Sequence, residues 1–131
     1  MGINAYRKTI AQTEAPRQIE RRLLSEATSK LLEHADYDKL QDGESKLAAQ
    51  AAGLGEAIAN NVRLWQALMF DLMEKENALP PQLQASLISL ALWVQRHSNG
   101  VLAGKQKVGP LIEVNRSIAQ GLGGDPGHNR E

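Results

Sequence analysis

The stretch from Leu79 to Gly104, LPPQLQASLISLALWVQRHSNGVLAG, constrains this chain more than any other. It opens on a Pro-Pro pair suited to a helix start, and its middle, Leu87 to Val94, is apolar on nearly every side. A helix that is hydrophobic all round must be wrapped by protein, because one amphipathic stripe would leave Ile88, Leu92 or Trp93 in water. The apolar run is eight residues long, too short to cross a bilayer, which takes roughly 20. The stretch is therefore predicted to be a central core helix, or one that keeps an extra face for a partner.

A chain of 131 residues suits one domain and is long enough to bury a core without crosslinks. It has no cysteine, which excludes disulfides and thiolate metal sites and fits a reducing compartment. Fifteen basic residues balance fifteen acidic ones, so no global field attracts phosphate backbones or anionic lipid. The N-terminus, MGINAYRKTIAQTEAPR, lacks an apolar signal core, and Tyr6 stands where myristoylation wants Ser or Thr. No membrane insertion is expected, and the expected compartment is the cytoplasm.

Amphipathic periodicity predicts an all-α, single-domain bundle of about four main helices over residues 1–122, with a short N-terminal arm and a disordered tail, 123–131. The arm carries Ile3, Tyr6 and Ile10. Helix one starts between Thr13 and Pro16 and lines up Ile19, Leu23, Leu24, Ala27, Leu31, Leu32 and Ala35 as one stripe. Its other face, Arg17 to Glu33, mixes both signs of charge and reads as solvated. Asp36 to Ser45 has turn chemistry, sharpest at Asp42-Gly43. From Ser45 to Glu76, Leu47, Ala51, Leu54, Ile58, Asn61, Trp65, Leu68 and Leu72 alternate steps of four and three, a seam for helices crossing at small angles. Such a helix would be roughly 48 Å long at 1.5 Å per residue, and Gly53 and Gly55 inside it predict a kink or a fresh start. Helix three begins at Pro81 and repeats the alternation through Leu83, Leu87, Leu90, Val94, His97 and Val101, which predicts an antiparallel hairpin with helix two. A last helix runs from Pro110 through Leu111, Val114, Ile118 and Leu122, with Gly121 as its stop.

No catalytic, metal or cofactor site is legible. His34, His97 and His128 lie on different segments, and none pairs at the i, i+4 spacing of a helical zinc site. His34, Asp36 and Asp38 form a loop cluster, read as a solvated turn in preference to a weak cation site. The glycines do not make a phosphate loop, and Ser25, Ser86 and Ser89 have no visible base. Arg17, Arg21 and Arg22 are interleaved with Glu14, Glu20 and Glu26, and there is no row of aromatics to stack bases, so direct nucleic-acid binding is disfavoured. Asn61, Trp65, Leu68, Leu87, Leu90 and Val94 are expected in the core, where Asn61 must find an amide partner. Trp93 lies beyond what the seam requires, with Ser89 and Arg96 as its neighbours on the least covered side of helix three.

Four stretches in combination carry a family resemblance: AYRKTIAQTEAPRQIERRLL at Ala5 to Leu24, NVRLWQALMFDL at Asn61 to Leu72, LQASLISLALWVQRHSNGVLAG at Leu83 to Gly104, and PLIEVNRSIAQGL at Pro110 to Leu122. Together they resemble the FlaF family of flagellar biosynthesis regulators, of alphaproteobacterial type. The resemblance implies a protein without enzymatic activity or cofactor, needed for flagellin production and export and acting with the regulator FlbT. One form of that role is a flagellin-binding export chaperone or adaptor, since flagellin ends are amphipathic helices that a helical groove can cover. The alternative is post-transcriptional control of flagellin synthesis through FlbT or flagellin mRNA. On this reading Trp93 and Arg96, with Tyr6 from the arm, are expected to bind the partner. Oligomeric state is left open.

Overall fold

The structure is a computed structural model and describes residues 18–74 and 79–123. The expectations for Tyr6, the N-terminal arm, the start of helix one and the tail lie outside the described residues. Helix α1 spans 18–32 and is followed by a 3-10 turn, Ala35–Lys39. Next come α2 (Gly43–Ala49), a wider-wound segment (Gln50–Leu54) and α3 (Gly55–Leu72). The chain closes with α4 (Pro81–Leu102) and α5 (Gly109–Gly123). Taking α2 to α3 as one broken helix, four helices pack together, with no strand among the described residues.

Each boundary has a local cause. Asp42 caps α2, its Oδ2 accepting from the Ser45 N–H at 2.8 Å. Gly53 adopts φ 137°, open to glycine but strained for side chains, and breaks the helix there. Pro80 is extended, and Pro81 opens α4 where a missing N–H costs nothing. Gly104 takes φ 76° and, with Lys105, returns N–H groups to Val101 and Gly100 at 2.9 and 2.8 Å, which stops α4. Helix α5 passes through Gly121 rather than stopping at it. A single glycine weakens a helix but does not end it unless the backbone turns left-handed, and Gly121 has no positive φ.

Helices α3 and α4 form the antiparallel hairpin that the shared periodicity predicts. Its core contains Leu54 from the wider-wound segment, Ile58, Trp65 and Leu68 from α3, and Ala91, Val94 and Val101 from α4. Helix α5 adds Val108, Leu111 and Ile112, and α1 adds Leu24 and Leu31. The predicted seam holds from Leu54 to Leu68, but Leu47 is 66% exposed and Ala51 is exposed too. The break at Gly53 turns α2 away from the line that α3 follows. On α1 the buried stripe is narrower than expected, because Leu24, Thr28 and Leu31 face inward while Ile19, Leu23 and Leu32 are exposed.

Helix α4 is not wrapped on all sides, and of its two expected forms the one that keeps an extra face open is the one that fits. Leu92 is 48% exposed and Leu83 45%, while Leu87 and Leu90 are half-buried at the edge of the core. Length explains the exposure of Leu83, whereas Leu92, about 15 Å from the C-terminal end of α4, lies on a side of the helix that is left open: at 1.5 Å per residue α4 is about 33 Å long and α5 about 22 Å. Helix α5 starts beside the C-terminal end of α4, so it cannot reach the first turns of α4.

Polar contacts pin that C-terminal end. Tyr37 is buried, and its hydroxyl donates to the Val101 carbonyl at 3.0 Å. Asp38 caps α5 with both oxygens, accepting from the Val108 and Gly109 N–H groups at 2.6 and 2.9 Å. Lys46 donates to the Gly104 carbonyl at 3.0 Å, and His97 Nε2 donates to that of Lys107 at 2.7 Å. The turn at Tyr37 and Asp38 thus clamps the α4 to α5 connection, leaving the other end of the hairpin less covered.

Candidate partner-binding site

On α4, Ile88, Leu92, Gln95, Asn99 and Leu102 follow steps of four and three, and therefore share one side of the helix. On α3, Val62, Gln66 and Met69 do the same, and Met73 just past its end continues the row. Between the two rows lies a shallow groove lined by Val62, Trp65, Gln66 and Met69 and by Ala91, Leu92, Val94 and Gln95. Trp65, Ala91 and Val94 are buried and form its floor. Leu92 and Gln66 stand exposed at its rim, and the two glutamines meet across it, Gln66 Nε2 to Gln95 Oε1 at 3.2 Å. The depression measures about 70 Å³, room for one aliphatic side chain. Its lining has no charged residue, in a chain that is 23% charged. Such a surface binds by burial and by amide hydrogen bonds.

The residues proposed from sequence to meet a partner are placed differently. Arg96 is exposed, one turn beyond Leu92. Trp93 is half-buried against the core, its ring stacked on His97 with centroids 4.7 Å apart and planes at 23°. His97 is itself tied to Lys107, so the indole rests on a fixed neighbour and keeps part of its surface free. Leu92 is not among the residues expected from sequence to make contact, although the 88, 92, 95, 99, 102 spacing places it on one side of α4 with Gln95.

Behind the groove runs a chain of buried amides. Trp65 Nε1 donates to Asn115 Oδ1 at 2.8 Å, and Asn115 Nδ2 donates to Asn61 Oδ1 at 2.8 Å. Asn61 and Asn115 are fully buried. This ties α5 to α3 in one register. Asn115 escaped the sequence reading; its signal was a polar residue four positions after Leu111, on the inward side of α5. Among the described residues Asn61 Nδ2 and Ser98 Oγ are buried without a partner.

Asp38, read from sequence as part of a solvated turn with His34 and Asp36, instead spends its carboxylate on α5. No group of three metal-ligating side chains occurs among the described residues. The Ser45 N–H holds the Asp42 carboxyl below its usual value, as the charged form accepts that bond. Among the described residues no helix is long and apolar enough to cross a membrane.

Searches of curated proteins and of solved structures returned no match. A family model described as "Flagellar protein FlaF" matches residues 2–122, and since this is nearly the whole chain, the protein belongs to the FlaF family of flagellar proteins.

Proposed function

We propose that this FlaF protein is a non-enzymatic adaptor that binds flagellin, covers its apolar helical ends before export, and acts together with an FlbT-type regulator. The observation that carries this reading is the uncovered face of α4. There Leu92 lies 48% exposed beside exposed Arg96 and half-buried Trp93, in a helix whose opposite side is core. An apolar side chain next to an arginine and an indole combines contact area with polar ends, the composition that dominates interface energies. Trp93 and Arg96 are the proposed contacts on this face, and Tyr6 joins them from the N-terminal segment.

The test is co-purification of flagellin and FlbT with the protein from lysate, with and without nuclease, for the wild type and for Trp93→Ala and Arg96→Ala. Binding that survives nuclease and is lost in Arg96→Ala at an unchanged melting temperature supports a direct protein contact. Capture that disappears with nuclease assigns the role to flagellin mRNA instead. If Trp93→Ala lowers the melting temperature and the folded fraction still binds, Trp93 is a packing residue only.

A further inference from the structure

We infer that the α3–α4 groove is the docking site for a single amphipathic helix of low charge. One aliphatic side chain of that helix seats over Trp65, and an amide or hydroxyl side chain beside it meets Gln66 and Gln95. The inference rests on the flagellin-binding reading and assigns it a surface distinct from the stacked side of Trp93.

Three observations select this occupant. The two rows that border the groove, Val62, Gln66 and Met69 on α3 and Ile88, Leu92 and Gln95 on α4, both step by four and three. A third helix with the same period interlocks with such rows along their whole length. The lining is uncharged, so a charged stripe on the ligand would lose its hydration without gaining a partner. At its centre the Gln66–Gln95 pair offers unused donor and acceptor positions beside the 70 Å³ depression. An apolar anchor next to an amide or hydroxyl is the complement.

Area decides against a second copy of the chain. From Ile88 to Leu102 the face is roughly 21 Å long, and two helices side by side make it about 20 Å wide. That gives on the order of 400 Å², about half of the ~800 Å² per partner that a stable interface buries. One helix laid in a groove needs no more.

The test compares unpolymerised flagellin binding by the wild type with that of Leu92→Glu and Gln66→Glu, both at exposed positions and each placing a charge in the groove. Leu47→Glu is the control, because Leu47 is 66% exposed on α2 and does not line the groove. The expected result is a loss of about tenfold or more in affinity for the two groove variants, and a change within about twofold for the control. Melting temperatures are expected to be unchanged throughout. Full binding by Leu92→Glu and Gln66→Glu overturns the groove while leaving flagellin binding intact. A wild type that does not bind flagellin overturns the functional reading and the groove with it. A wild-type dimer in sedimentation that Leu92→Glu converts to monomer puts a second copy in the groove and also overturns the inference.

Discussion

At the scale of single residues, burial and hydrogen bonding separate side chains that look alike in sequence. Trp65 and Trp93 both fall in apolar runs, yet Trp65 is buried with its N–H bonded to Asn115, while Trp93 is half-buried over His97. Truncating Trp65 to alanine leaves a cavity and an orphaned Asn115 carbonyl, and is expected to cost roughly 3 to 5 kcal/mol in chemical denaturation. A midpoint that barely moves would place the indole on the surface. Asn115→Leu removes one group but strands two, Trp65 Nε1 and Asn61 Oδ1, so a loss of about 2 to 4 kcal/mol is expected. Ser98 presents the opposite case. Its hydroxyl is buried with no partner, so Ser98→Ala is expected to raise stability by about 1 kcal/mol in the same assay. Asp42 supplies a pH-dependent contribution. Its folded pKa is lowered from 3.8 by the Ser45 bond, so the cap is fully present above that value and is lost as pH falls through the lowered one. Acid titration of the wild type against Asp42→Ala reads this directly, because the stability difference should shrink in that window.

At the scale of elements, helix ends carry most of the information. The break between α2 and α3 depends on Gly53, whose φ of 137° strains any side chain and where an added Cβ would meet His34 Cε1 at 3.1 Å. Gly53→Ala is expected to cost about 1 to 3 kcal/mol, read as a lower melting temperature. A neutral result would show that α2 and α3 can form one straight helix. The sequence flagged this break from two glycines, but could not say which of them turns the chain. Gly55 stays helical, and its crowding is against the Gln50 carbonyl. The start of α5 was placed by Pro110 within one residue, whereas its cap was invisible. Asp38 is 70 residues away from Val108, and nothing in local spacing announces the pairing. The Tyr37–Val101 bond, spanning 64 residues, was hidden for the same reason.

Across the whole molecule, the sequence by itself determined that the chain folds as helices, where α4 and α5 start, that the helix before them breaks near Gly53, and which line of α3 faces inward. These follow from periodicity, proline and glycine, which act over a few residues. The family was legible as well, because its motifs are spread along the chain from Ala5 to Leu122 and match as a set. Only the tertiary structure decided which apolar faces are covered. Leu87 and Leu90 obey the same four-three spacing as Val94, yet they sit half-buried while Val94 is fully buried. Leu92 lies in the apolar run yet stands at a groove rim, while Asn115, which the sequence reading passed over, is the centre of a buried network. Periodicity states which side chains share a face, but whether another helix lies over that face depends on helix lengths and on contacts between residues far apart in the chain.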